Sequence, residues 1–288
     1  MIQIGRFNKL KVVKHVDFGV FLDGEDDGEI LLPLRYMPEQ CDVGDEVNVF
    51  VMFDSEDRLL ATTEVPKALV GDFALLKVVA VEKVGAFLDW GLAKDLFLPY
   101  AEQIHAPRVG QDILVYLYTD KSDRISASMR LDRYTQKAPA ELKNGDEVDL
   151  LITGKTDLGF KAIVNNCCQG LLFTNEVFQP LHYGQKTKGF IKTVRPDGKL
   201  DIVLQKTEKV GHKAADDIGP LILEQLIKNS GFLAINDKTP PEIIYKLFGV
   251  SKKKYKIALG GLYKKRLISV DEDGIRLVAK KQQNTAAK

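Results

Sequence analysis

The sequence predicts a mainly β chain with an α+β unit at its C-terminal end, organised as three tandem five-stranded barrels followed by a small helical domain. Three observations predict this. A unit of about 70 residues occurs three times, each copy breaks into short β-rich runs cut by turn residues, and the apolar spacing becomes helical after Thr207.

The repeat is plainest around its middle copy, Val84 to Pro99. A shift of 66 carries Gly85, Phe87, Leu98 and Pro99 back onto Gly19, Phe21, Leu32 and Pro33, and a shift of 74 carries Gly85 and Leu98 forward onto Gly159 and Leu172. The same shifts join Gly5, Gly71 and Gly145, then Gly44, Gly110 and Gly184, then Asp57, Asp123 and Asp197, so the copies are expected to align without an internal gap. The eight extra residues of the longer shift fall in the connection Met129 to Leu142, where a mobile or helical joint is expected. The units read as residues 1–65, 66–136 and 137–210, with the C-terminal unit at 211–280 and a frayed tail at 281–288.

Within the first copy, strands are expected at Leu10–Val16, Gly19–Leu22, Glu29–Leu32, Glu46–Phe53 and Arg58–Thr63, separated by Asp23 to Gly28, Gly44-Asp45 and Asp54 to Asp57. Pro33 to Val43 suits the short helical connection of a small barrel. Five short strands per unit point to a closed barrel of the OB type.

The repeat resembles the S1-type RNA-binding domain, whose signature is an aromatic-Gly-x-aromatic strand followed by a late Asp-x-x-x-Arg. The first copy has Phe18-Gly19-Val20-Phe21 with Asp54 and Arg58, and the second has Val84-Gly85-Ala86-Phe87 with Asp120 and Arg124. The third has Leu158-Gly159-Phe160-Lys161, with Val194 and Gly198 in place of the pair. A histidine of the family pattern is replaced by Pro33, Pro99 and Phe173. The resemblance implies RNA contacts at Phe18, Phe21, Asp54, Arg58, Phe87, Asp120 and Arg124. A ring exposed on such a strand stacks a base at about 1–3 kcal/mol whatever the base. Phe18 and Phe21 lie three apart, so a bulge or a sharp coil at Gly19 is expected to turn both rings to one side. Small barrels also fill their interiors with rings, so Phe21 and Phe87 read equally as core, and Trp90 reads as a rim packing residue or a second platform.

Charge separates the copies. Residues 1–70 balance at −7, 71–143 at 0, 144–210 at +1 and 211–288 at +7. Asp23, Glu25, Asp26, Asp27 and Glu29 crowd the first signature strand and repel phosphate, whereas Lys83, Arg108, Lys121, Arg124, Arg130 and Arg133 in the second copy and Lys155, Lys161, Lys186, Lys188, Lys192, Arg195 and Lys199 in the third suit a nucleic-acid backbone. A polyanion is therefore expected mostly on the C-terminal half.

In that C-terminal unit, Asp216-Asp217 start a helix whose stripe is Ile218, Leu221, Ile222 and Leu226, widened by Leu223 and Ile227, and Gly231 ends it. Thr239-Pro240-Pro241-Glu242 opens a second helix to Phe248, Ser251 caps a third from Lys252 to Arg266, and Leu267–Val270 with Gly274–Val278 form a hairpin. This order is that of a winged helix. In the third helix Tyr255, Leu259, Leu262 and Arg266 share the packing face, and Lys253, Lys256 and Lys264 share the opposite, basic one with Gly260. A glycine in a helix interior costs about 1 kcal/mol, so Gly260-Gly261 predicts a backbone or ligand close by.

Three S1-type barrels before a winged helix resemble the conserved virulence factor B family of Gram-positive bacteria. The resemblance implies a cytoplasmic RNA-binding protein that influences virulence-factor expression after transcription. The residues alone point to a multi-barrel binder of single-stranded nucleic acid with the C-terminal half as its main contact; the resemblance adds RNA as the partner and leaves DNA open as another. The sequence has no Walker-type glycine loop and no supported nucleophile–base pattern, so neither an enzyme nor a cofactor is expected. Cys41, Cys167 and Cys168 lack Cys-x-x-Cys spacing and no apolar run is long enough to span a bilayer, so neither a metal site nor a membrane partner is expected. Two rival readings are a DNA-binding regulator acting through the winged helix and a protein-docking scaffold using the acidic first barrel.

Overall fold

The computed structural model describes residues 1–177, 179–205 and 218–278. Asp216-Asp217, the boundary near residue 210 and the tail 281–288 lie outside the described residues.

The first barrel consists of β1 (Phe7–Val16), β2 (Gly19–Asp23), β3 (Glu29–Pro33), β4 (Glu46–Phe53) and β5 (Leu59–Thr62). The second holds β6 (Phe73–Glu82), β7 (Gly85–Asp89), β8 (Leu96–Pro99), β9 (Asp112–Thr119) and β10 (Ile125–Ser128). The third holds β11 (Glu147–Lys155), β12 (Gly159–Val164), β13 (Cys168–Phe173), β14 (Lys186–Val194) and β15 (Leu200–Val203). All three close in the same order: the first strand pairs antiparallel with the second and fourth, and the fifth closes the ring by running parallel to the third. Alternation along the strands puts Val20, Leu22, Ile30, Leu32, Val49 and Val51 fully inside the first barrel. The expected helical connection after β3 is a single short turn, Leu34–Tyr36.

The glycine that opens each second strand is there for close approach. A Cβ on Gly19, Gly85 or Gly159 would lie 2.2, 2.3 or 2.0 Å from the carbonyl oxygen of Leu32, Leu98 or Leu172 on the neighbouring strand. The bulge expected at Gly19 is absent; the register of the first pair shifts in β1, between Val12 and Lys14.

The copies do not align without a gap. Asp57 and Asp123 take left-handed φ of 60° and 57°, and the third-barrel residue in that conformation is Gly198 at 81°, not Asp197. A register shift in β14 between Ile191 and Thr193 supplies the extra residue. Beyond it the counterparts of Asp120 and Arg124 are Arg195 and Lys199. The N–H of Arg195 donates to the carbonyl of Lys199 at 2.9 Å, as Asp54 does to Arg58 and Asp120 to Arg124.

The barrels are joined by side-chain packing. Phe50 of β4 is fully buried and packs edge-on against Trp90 of the second barrel, ring centroids 5.7 Å apart, with Phe7 on its other side at 5.9 Å. Between the second and third barrels, Phe73, Leu114, Leu151 and Ile163 form a separate buried cluster. Asn166 stitches its edge: the side chain donates to the Gly71 carbonyl at 2.9 Å and accepts from the Phe73 N–H at 2.9 Å. The Leu114 N–H donates to the Tyr183 hydroxyl at 2.8 Å.

The connection 129–142 is neither a mobile tether nor a helix. It makes one short turn, Leu131–Arg133, and then lies against the third barrel. The Gln136 N–H donates to the Cys167 carbonyl at 2.9 Å, the Ala138 N–H to the Gly198 carbonyl at 2.8 Å, and Tyr134 stacks on Tyr116 at 4.1 Å. Through Tyr134 on one side and Gln136 and Ala138 on the other, the connection touches both barrels.

The C-terminal unit comprises α1 (Gly219–Lys228), β16 (Phe232–Leu233), α2 (Pro241–Phe248), α3 (Lys252–Lys264), β17 (Ile268–Asp271) and β18 (Gly274–Leu277), with the sheet ordered β16-β18-β17. Ile222, Leu226, Ile244, Tyr255 and Ile275 are its fully buried centre. Leu221 and Ile227, expected in the stripe of α1, are exposed instead, because the helix packs on one narrow face. Gln205, just after β15, donates to the Gly249 carbonyl at 3.0 Å and to the Tyr245 hydroxyl at 3.2 Å.

Candidate nucleic-acid interface

On the first barrel the two signature rings do face one side. Phe18 sits in the turn ahead of β2 and not on the strand, so strand alternation does not separate it from Phe21. Their centroids are 6.4 Å apart at 81°, and Phe18 is 58% exposed. The Lys14 ammonium lies 4.7 Å from the centre of the Phe21 ring and pairs with Glu29. This is an aromatic step with a cation beside it, open on the Phe18 side.

Arg58 is committed close by. Its guanidinium donates to Asp54 through Nε at 2.9 Å and Nη2 at 2.8 Å, and reaches Glu56 at 2.9 Å. Burial pushes the Asp54 carboxyl up, but the Arg58 N–H and guanidinium outweigh it and hold the group below the usual carboxylate range. The pair acts as a clasp for the β4–β5 turn.

The second barrel keeps half of this arrangement. Phe87 is half-buried and packs against Phe97 at 5.4 Å, while Val84 stands exposed where Phe18 would be. Asp120 clasps its turn by accepting from the Ser122 and Arg124 N–H groups at 2.8 and 3.2 Å. The Arg124 guanidinium, however, turns to the first barrel and donates to Asp57 through Nε at 2.8 Å. That hydrogen bond holds the Asp57 carboxyl below its ordinary range. Trp90 is buried, with Nε1 donating to the Lys94 carbonyl at 2.6 Å, and serves packing.

The third barrel replaces rings by cations. Leu158 is exposed in the Phe18 place and Lys161 in the Phe21 place. Arg195 and Lys199 occupy the turn positions that hold an acid and an arginine in the other barrels. Arg195 pairs with Asp201 and lies 5.9 Å from the Phe173 ring, whose other neighbour at 5.9 Å is Lys192. Lys192 pairs with Glu176, and Lys188 is shared by Glu147 at 3.0 Å and Asp149 at 3.3 Å, which raises its own proton affinity. Of Lys161, Lys188 and Lys192, Lys161 alone has no ion-pair partner among the described residues. Arg195 and Lys199 stand among the cations the sequence offers for a backbone, but the register slip hid their place at the Asp–Arg turn; the one visible signal was Gly198, a left-handed residue one place late.

On the winged helix, the Ser251 hydroxyl caps α3 by accepting from the Lys254 N–H. Tyr255, Leu259 and Leu262 are buried, which turns Lys253, Lys256 and Lys264 outward. Lys256 lies 3.6 Å from Asp237, and Lys253 and Lys264 have no ion-pair partner among the described residues. The close neighbour expected at Gly260-Gly261 is not there: a Cβ at either position would meet nothing within 4 Å. The glycines instead leave a low, open surface between the outward lysines, bordered by exposed Ile257.

Two family models match the chain. The S1 domain model covers residues 4–64 and 70–130, and a CvfB-like winged helix domain model covers residues 221–277. Together the two models match more than half of the chain, in the order barrel, barrel, winged helix. The chain belongs to the conserved virulence factor B family. Among its relatives, a Staphylococcus aureus protein named conserved virulence factor B is 25% identical over 258 residues, covering 84% of this chain and 82% of the relative. The uncharacterized protein YitL of Bacillus subtilis is 29% identical over 273 residues, covering 88% and 87%. A solved structure of a multidomain protein with nucleic acid binding domains from Streptococcus pneumoniae is 26% identical, covers 96% of this chain and 98% of its own, and has a TM-score of 0.41. Among members of the conserved virulence factor B family, then, this one carries S1 barrels and a winged helix, two modules that bind nucleic acid and regulate. Among the described residues no helix is long and apolar enough to cross a membrane.

Proposed function

We propose that the chain binds single-stranded RNA in the cytoplasm and regulates gene expression after transcription, without catalysing a reaction on its ligand. The observation that carries this reading is the exposed Phe18–Phe21 step with Lys14 beside it, repeated in part as Phe87–Phe97 on the next barrel. Such platforms take unpaired bases by stacking, which a duplex does not offer. The virulence factor name of the relatives supports a regulatory role, with virulence genes as the targets.

A second reading, duplex DNA held by α3, rests on the outward lysines of that helix. Lysine is a point charge; the described outward face of α3 has no arginine, asparagine or glutamine to make a bidentate base contact, so it suits positioning on phosphates more than reading sequence. Titration of the full chain with labelled single-stranded RNA, single-stranded DNA and duplex DNA over a salt series tests both. Tightest binding to single-stranded RNA is expected. Tighter binding to the duplex would move the function to the winged helix.

A further inference from the structure

The cations of the third barrel do not stand alone. A groove of about 800 Å³ runs between β12–β13 and the segment 129–135 of the joint. Lys161, Arg195 and Lys199 line one wall, and the joint brings Arg130 and Arg133 to the other. Asp132 and Asp157 are the two carboxylates of the lining, so five cations face two acids. Asp132 is itself turned to the Gln169 amide at 2.9 Å. The floor is aliphatic, from Leu158, Ile163 and Leu171, and no aromatic side chain lines the groove.

This composition separates the groove from the platforms of the first two barrels. Without a ring the groove offers no aromatic platform for a base, while its cations match charges repeated along a chain. Arg195 is held by Asp201, Arg133 lies 3.4 Å from Glu102, and Arg130 donates to the Ala101 carbonyl at 3.1 Å. Lys161 and Lys199 have no ion-pair partner among the described residues, and both are exposed. The fixed arginines shape the walls and the two lysines are the charges available to a ligand.

We infer that the groove is a backbone-binding subsite, holding the sugar–phosphate chain of a single-stranded nucleic acid as it passes from the second barrel to the third. The inference rests on the single-strand reading above and adds to it a place and a mode: charge without stacking. The joint is the reason the site exists. It delivers Arg130 and Arg133 to a barrel whose signature strand has already exchanged its ring for Lys161.

The test uses the full chain and a 5′-labelled oligouridylate, with binding followed by fluorescence anisotropy from 50 to 200 mM salt. Lys161→Ala/Lys199→Ala is compared with Lys9→Ala/Lys11→Ala, which removes the same charge from the first barrel, and melting curves verify that both variants fold. Loss of two phosphate contacts flattens the log K against log salt slope by about 1.4, so a fourfold rise in salt costs the groove variant roughly sevenfold less affinity than it costs the wild type. The first-barrel variant keeps the wild-type slope. Wild-type binding with equal slopes in both variants overturns the groove and leaves the single-strand reading standing; a wild type that binds no single strand overturns both. Displacement of the oligonucleotide by uridine monophosphate at equal nucleotide concentration would assign the groove to a free nucleotide and also overturn the inference.

Discussion

Where the first barrel presents Phe21, the third presents Lys161; where the first clasps Asp54 to Arg58, the third sets Arg195 and Lys199. The two barrels share strand order, closure and the glycine of close approach, so none of these differences is needed to fold them. What they change is the kind of contact each can offer a polyanion. The first barrel has rings in an acidic surround and contributes a term that salt does not screen. The third has free cations and contributes a term that salt does screen. A chain that uses both holds bases at one end and phosphates at the other.

The largest expected effect tests whether the two ends act as one body. Trp90 seals the junction of the first and second barrels against Phe50, and its hydrogen bond to the Lys94 carbonyl fixes the ring. Trp90→Ala should lower the unfolding free energy by about 3–5 kcal/mol in urea titration. A loss below about 1 kcal/mol would mean that the barrels are only loosely joined and that the comparison is between independent modules.

Next in size is the winged helix, which extends the cationic end. Lys253→Ala/Lys256→Ala/Lys264→Ala should flatten the salt dependence of RNA binding by about 2, one contact per lysine. An unchanged slope would return α3 to the status of a solvated face and leave the third barrel as the cationic end.

The smallest effect concerns the Asp57–Arg124 bond between the first two barrels. Arg124 holds the Asp57 carboxyl below its usual range, so the bond's contribution is present above the unfolded-state pKa near 4 and is lost as pH falls through the folded-state value. Arg124→Ala should therefore lower stability slightly at neutral pH, where the exposed pair is screened, and the difference from wild type should vanish as pH falls below about 4. Acid unfolding curves that superimpose would show that the bond joins nothing.

Much of this was legible in the sequence, and the reasons are local. Gly19, Gly85 and Gly159 mark the same place in each barrel, where any side chain would strike the carbonyl of the neighbouring strand, so they recur and betray the repeat. The strands of the first barrel and the three helices were readable from alternation, turns and caps. The joint was not. Tyr116, Tyr134 and Asn166 look like surface residues in sequence, and only the approach of two barrels gives them partners. The site was partly legible for the same reason. Phe18 and Phe21 lie within one motif, whereas the turn positions of Arg195 and Lys199 were masked by one inserted residue in β14, and their meeting with Arg130 and Arg133 in one groove depends on the approach of another barrel. Arg58 and Arg124 were legible as a pattern, and Arg58 keeps the Asp54 of that pattern, but the partner of Arg124, Asp57 of the neighbouring barrel, was not legible.

The division of labour between rings and cations is tested most directly by salt titrations of two variants side by side, Phe18→Ala/Phe21→Ala and Lys161→Ala/Lys199→Ala, against one labelled oligouridylate. The account predicts that the ring variant loses about 1–3 kcal/mol at every salt concentration, giving a line parallel to wild type, while the lysine variant gives a line flatter by about 1.4. Parallel lines for both, or a flattened line for the ring variant, would contradict it.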